Sequence, residues 1–166
     1  MQGLYIDYEK CVGCELCTMR CSLEKTSRVN PAESRIRLVR IEEEGIVMPA
    51  VCRHCDEPYC IPACPVNAIS KNAETGLVQI DADICTGCKL CLEACPYSGP
   101  VNVTVIGKKV SSIKVICDLC NGHPACVEVC PTGTLQFVTI DDAMAERQKQ
   151  GQERLAKLLT SLGQKS

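Results

Sequence analysis

Stretches in which β-branched and large apolar residues alternate or cluster recur along the chain at residues 4–8, 35–41, 46–51, 77–80, 101–106 and 109–116. Each predicts a short strand. The tail from Asp141 changes period. There Leu155, Leu158, Leu159 and Leu162 fall at the i, i+3, i+4, i+7 positions of one helical face. Asp141 and Asp142 suit the N-terminus of that helix, and Lys157 and Lys165 its C-terminal end. The leucine stripe fits either packing on the chain's own body or docking to a partner. Residues 22–34, with Asn30-Pro31, read as a surface connection. Glu42-Glu43-Glu44 beside Gly45 reads as a solvated turn, and Lys108-Lys109 after Gly107 as a hairpin turn. The longest apolar run, residues 46–52, contains Pro49 and falls far short of the roughly 20 residues that cross a bilayer.

Composition makes the strands and helix hard to stabilise by side-chain burial alone. With one Phe, no Trp and four Tyr in 166 residues, few large side chains are available to fill a core. Sixteen cysteines stand in their place, a density typical of a disulfide framework or a metal-binding scaffold. The start, Met1-Gln2-Gly3-Leu4-Tyr5-Ile6, shows no basic segment followed by an apolar one. The expectation is therefore a cytoplasmic chain with reduced thiols and no direct membrane insertion. A formal charge of -2 argues against nucleic acid as a partner.

The cysteines fall into four runs. The first, Cys11, Cys14, Cys17 and Cys21, and the third, Cys85, Cys88, Cys91 and Cys95, both follow C-x2-C-x2-C-x3-C. That is the bacterial ferredoxin spacing, in which three close thiolates wrap one [4Fe-4S] cluster and the fourth cysteine ligates the other cluster of a pair. Gly13 and Gly87 suit the tight loop this requires. The second run, Cys52, Cys55, Cys60 and Cys64, and the fourth, Cys117, Cys120, Cys126 and Cys130, keep the ends of the pattern and lengthen its middle. Four-cysteine zinc sites usually join two separated knuckles, and disulfides would need export, so both rank well below four [4Fe-4S] clusters. Loading them takes the formal charge to about -10.

If each fourth cysteine crosses to a partner run, sequence separation pairs the second run with the third and the first with the fourth. The expected ligand sets are Cys11, Cys14, Cys17 with Cys130; Cys117, Cys120, Cys126 with Cys21; Cys52, Cys55, Cys60 with Cys95; and Cys85, Cys88, Cys91 with Cys64. The expected architecture is α+β: two nested bacterial-ferredoxin-like modules with short strands and short helices around four clusters. Residues 1–49 plus 101–140 form the outer module, residues 50–100 the inserted one, and residues 141–166 an amphipathic helix. Helices are expected to be brief and to begin near the third cysteine of each run. His54 and His123 lie inside cysteine runs without a Ser or Asp motif beside them, and read as groups that tune or cover a cluster. Tyr59 and Tyr97 read as shields against water. No catalytic constellation is visible.

With these motifs the chain resembles the four-cluster ferredoxin-like subunits of molybdenum and tungsten oxidoreductases, such as those of formate dehydrogenases and dimethyl sulfoxide reductases. The resemblance covers roughly residues 3–140, including Cys117-Asp118-Leu119-Cys120 and the Cys-Pro endings; Ser22 departs from it by following Cys21 where proline is usual. It implies the same nested pairing and a non-catalytic electron-transfer role beside a pterin-bearing subunit, with a flavoprotein or soluble ferredoxin as second redox partner. In size the chain is most similar to the small subunit of tungsten-dependent aldehyde oxidoreductases. A free polyferredoxin, a partner of a carbon monoxide dehydrogenase or hydrogenase, and, remotely, a zinc-stabilised interaction module stand as alternatives. Self-association into a filament is compatible with the sequence.

Overall fold

A computed structural model of the chain describes residues 2–97 and 116–161. The expected strands at 101–106 and 109–115, the Lys108-Lys109 turn, Leu162 and Lys165 lie outside the described residues. The architecture is the expected α+β one, with helices and, among the described residues, three two-stranded antiparallel sheets.

Strand β1, Gln2–Ile6, pairs with β6, Leu135–Thr139, in the register Gln2↔Thr139 to Ile6↔Leu135. This joins the two ends of the cysteine-bearing region. Strand β2, Ile36–Ile41, turns into β3, Ile46–Val51, through the exposed Glu42–Glu44 and Gly45. Gly45 takes φ +63 with nothing near its missing Cβ, the left-handed conformation a tight hairpin asks of glycine. Alternation places Val39 and Ile41 with Met48 and Ala50 on one buried face, and Ile36 with its partner Val51 on the other. The third pair is β4, Ile69–Lys71, with β5, Val78–Ile80. The first strand stops short of the expected Tyr8, which instead sits in a 3-10 turn, Tyr8–Lys10.

Helix α1, Leu16–Thr26, begins inside the first cysteine run and ends at Ser27, whose N–H donates to Leu23 O. Its buried face is Cys17, Thr18, Cys21 and Ser22, so thiols sit where aliphatic side chains normally would. Helices α2, Leu90–Glu93, and α3, Ala125–Glu128, start near the third cysteines of their runs, while the second run makes only turns around Cys60. Residues 22–34 are in part the surface connection the sequence suggested, since residues 27–32 are exposed. The first part of the segment completes α1, and Ser22, Glu33 and Ser34 are buried. The reason is local hydrogen bonding: Ser22 Oγ accepts from Asn30 N–H at 3.1 Å and donates to Met19 O at 2.9 Å, folding the segment back onto the helix.

Helix α4, Asp142–Ser161, is capped by Asp141, whose Oδ1 accepts the Met144 N–H at 2.8 Å. It lies against the body of the chain. Leu155 is buried among Val39, Ile41, Met48 and Ala50, with Leu158 packed beside it. Among the described residues the stripe thus packs inward. One turn and two turns earlier the buried positions are glutamines: Gln152, hydrogen-bonded to Tyr8, and Gln148, whose Nε2 donates to Leu4 O at 3.0 Å.

Candidate metal centres

The backbone bends the same way in every cysteine run. The second residue after the first cysteine has positive φ in all four: Gly13 (+68), His54 (+49), Gly87 (+75) and Leu119 (+52). This conformation wraps the loop so that successive thiols converge. Glycine takes it without cost, whereas a bulky residue such as Leu119 loses roughly 1–2 kcal/mol. Such strain persists only where the surroundings impose it, and here it recurs at the thiol loops.

Among the described residues, three cavities are each lined by four thiols. One gathers Cys11, Cys14, Cys17 and Cys130; the second Cys52, Cys55, Cys60 and Cys95; the third Cys64, Cys85, Cys88 and Cys91. The remaining four, Cys21, Cys117, Cys120 and Cys126, lie close enough for their charges to interact. Every group thus combines three cysteines of one run with the last cysteine of another. None of the sixteen is in a disulfide. A larger cavity, about 510 Å³, lies between residues 5–11, strand β3 and α4 and holds one cysteine, Cys11.

Several of the thiols are poor acids as they stand. Burial, then neighbouring thiols, pushes Cys17 up to about 12 and Cys91 up to about 11. Burial likewise takes Cys52 to about 12 and Cys117 to about 11, against the opposing pull of the His54 and Leu119 backbone amides. Four such groups ionise together only around a cation. A single zinc ion would hold its four sulfurs about 3.8 Å apart, given Zn–S bonds of about 2.3 Å. Among the described residues no group of three or more His, Cys, Asp or Glu converges closely enough for a single metal ion. The four-thiol cavities fit an iron-sulfur core, which takes thiolate ligands.

Backbone amides also point at the sulfurs, as such a core would require. Arg35 N–H donates to Cys21 Sγ and Ala68 N–H to Cys64 Sγ, each at 3.3 Å. Cys130 receives amides from Leu135, Thr132 and Thr134, which outweigh its burial and lower its pKa. Several cations stand close by that the sequence did not single out. Lys25 Nζ and Arg35 Nη1 reach Asp118 at 2.9 and 2.6 Å, and Lys25 also bonds the Cys120 thiol. Burial would raise the Asp118 carboxyl, but Lys25, the Cys120 amide and Arg35 hold it down at about 2. Lys71 Nζ donates to Cys55 O at 3.0 Å, and Arg40 to Gly13 O at 2.9 Å.

His54 Nδ1 accepts the Val78 N–H at 2.9 Å, which places the ring proton on Nε2 and ties the second run to β5. Burial lowers its pKa to about 4, so the ring is neutral. His123 is exposed at the end of the Leu119–Gly122 turn. Tyr59 and Tyr97 both line the Cys52 cavity. Of the sixteen cysteines only Cys14 and Cys88 are exposed. Each is flanked by exposed apolar residues: Val12 and Leu16 at the first, Ile84 and Leu90 at the second.

Comparison with known proteins agrees with this chemistry. Residues 43–140 match the family described as a 4Fe-4S dicluster domain, and residues 8–24 a 4Fe-4S binding domain. One of the subunits of the tetrathionate reductase of Salmonella typhimurium is 35% identical over 101 residues, covering 57% of this chain and 40% of that protein. The polyferredoxin-like subunit of the aliphatic sulfonate oxidoreductase of Pyrococcus furiosus is 42% identical over 97 residues, covering 58% and 56%. The chain thus spans about half the length of these relatives. Among solved structures, the active-site complex BamBC of benzoyl coenzyme A reductase is similar at 24% identity and a TM-score of 0.47, covering 99% of this chain and 98% of that one.

Proposed function

The chain belongs to the 4Fe-4S dicluster domain family and carries multiple [4Fe-4S] clusters, and we propose that it relays single electrons through four of them between a catalytic oxidoreductase subunit and a second redox carrier. The observation that carries this reading is the set of cavities lined by four thiols drawn from two runs. In this proposal Cys11, Cys14, Cys17 and Cys130 hold one cluster and Cys117, Cys120, Cys126 and Cys21 its neighbour. Cys52, Cys55, Cys60 and Cys95 hold the third, and Cys85, Cys88, Cys91 and Cys64 the fourth.

Each cluster, when bound, supplies a one-electron couple between the 2+ and 1+ states. The chain's own residues do the rest. The crossed fourth cysteines fix neighbouring sites side by side, and the amides on Cys21, Cys64 and Cys130 stabilise charge on sulfur. Cys17, Cys21 and Cys126 are buried and eleven more cysteines are partly covered, which limits water along the path. The exposed Cys14 and Cys88, with their apolar collars, are the contact points for partners. Pairing of β1 with β6 supports an outer module, residues 1–49 plus 101–140, with residues 50–100 inserted in it.

The catalytic partner in this reading is a tungsten- or molybdenum-pterin subunit, as the resemblance of the four runs implies. The test is metal analysis of the tagged chain purified without oxygen, together with what it retains. About sixteen iron and sixteen acid-labile sulfide per chain, with co-purifying tungsten or molybdenum, is the expected result. Zinc without sulfide overturns the cluster assignment. Nickel redirects the partner to a hydrogenase or carbon monoxide dehydrogenase, and iron and sulfide with no partner metal favours a free carrier.

A further inference from the structure

The cavity of Cys52, Cys55, Cys60 and Cys95 has a cation built into its wall. Arg53 lines it directly. Its Nη1 donates to Leu4 O at 3.3 Å, so the side chain is anchored by strand β1, far away in sequence. Its Nε is shielded from solvent and has no hydrogen-bond partner among the described residues. No carboxylate pairs with Arg53 among the described ion pairs. The groups whose charge it feels are Tyr8, Cys55, Cys52 and Tyr97. A guanidinium stays protonated even when burial weakens it, and an isolated buried charge is costly unless a counter-charge faces it. Among the described residues, the candidate facing Arg53 is the thiolate site itself.

Of the other cations nearby, Arg37 also feels the charge of Cys95 but does not line the cavity as Arg53 does. Lys71 reaches the Cys55 carbonyl, but it also bonds the fully exposed Asp56 at 3.3 Å, and His54 turns its Nδ1 to the Val78 N–H. At the inner cavity of Cys64, Cys85, Cys88 and Cys91 the lining cation is Lys89, which is exposed and screened by water.

We propose that Arg53 is the counter-cation of the cluster held by Cys52, Cys55, Cys60 and Cys95, and that it raises the reduction potential of that cluster. The inference rests on the electron-relay reading above. Reduction adds one negative charge to the site without a proton, and a fixed positive charge in a shielded wall stabilises the reduced form more than the oxidised one. Arg53 is thus a positioning residue for charge, acting on the electron through the cluster's environment.

The experiment is a spectroelectrochemical titration of the anaerobically purified full chain, followed by electron paramagnetic resonance. Wild type, Arg53→Gln and Arg53→Lys are compared, each with iron and sulfide counted. The expected result is that Arg53→Gln moves one reduction step to lower potential and leaves the others in place, while Arg53→Lys leaves all steps near wild type. Unmoved steps in Arg53→Gln overturn the proposal, and so does an equal shift in Arg53→Lys. If Arg53→Gln loads less iron, the decision passes to Arg53→Lys: full iron with the step retained supports the role, and a lowered step refutes it. A wild-type chain without sulfide would instead refute the relay reading, so the two failures are distinguishable.

Discussion

Gly151 of α4 presses against the ring of Tyr8: a Cβ added at this position would lie 2.8 Å from Cε2 of that ring and closer still to Cδ2. A mid-helix glycine normally weakens a helix by about 1 kcal/mol relative to alanine. Here the missing side chain is what lets the helix settle on the 3-10 turn of Tyr8–Lys10, with Gln148 and Gln152 hydrogen-bonded on either side. The Gly151→Ala variant should therefore lose stability despite its better helix propensity, by about 1–3 kcal/mol, the usual cost of overpacking. Urea unfolding and proteolysis of the tail would read this. A variant more stable than wild type would show that the helix docks differently.

The crossing of fourth cysteines can be tested by iron counting. If Cys130 serves the same cluster as Cys11, then Cys11→Ala, Cys130→Ala and the double variant should each lose one cluster, leaving about twelve iron of sixteen. If Cys130 served its own run, the double variant would lose two clusters and keep about eight. The non-additivity of the two substitutions is thus the readout, and a double variant at the lower count would sink the crossed pairing.

Asp118 draws Lys25 of α1 and Arg35 onto the fourth run. Its side chain is 39% exposed, so water screens the ion pairs and they contribute less than fully buried ones. Asp118→Asn should cost about 2 kcal/mol, mostly from charged hydrogen bonds left weaker on two cations. Urea denaturation measures this without adding salt. A double-mutant cycle with Arg35→Gln should show coupling, and additive losses would mean the two side chains do not share a network.

Much of the site was legible in the chain because cysteine spacing is geometry written in sequence: Gly13 and Gly87 stand where the loops need positive φ. At His54 and Leu119 the same backbone conformation has no signal in residue type, only in position relative to the first cysteine. Strands β2 and β3 followed from alternation. Strand β6 was missed because Leu135–Thr139 gains its place by pairing with β1, a contact across almost the whole chain. The burial of Gln148 and Gln152 had no signal in the leucine stripe, because it depends on the partners Leu4 O and Tyr8 offer there. Arg53 was hidden for a similar reason, since its anchor is a carbonyl far away in sequence.

Removal of the clusters should unfold more than the thiol loops. The core that joins β1, α1, β2 and β6 counts Cys17, Cys21 and Cys126 among its buried members, beside Leu4, Ile6, Ile36, Val51 and Leu135. With so few large apolar side chains, these cysteines occupy positions that must be filled for the elements to pack. Stripping iron with a chelator under mild oxidation, with reductant added afterwards to prevent disulfides, should therefore abolish cooperative thermal unfolding and reduce far-ultraviolet circular dichroism. Amide exchange should become fast in α1 and β6 together, since both lose the same core, while the β2–β3 hairpin, whose Val39, Ile41, Met48 and Ala50 also pack on Leu155, should persist longest. An apo chain that keeps slow exchange in α1 and melts as sharply as the loaded one would show that the apolar residues suffice, and that the clusters are guests in a fold that stands without them.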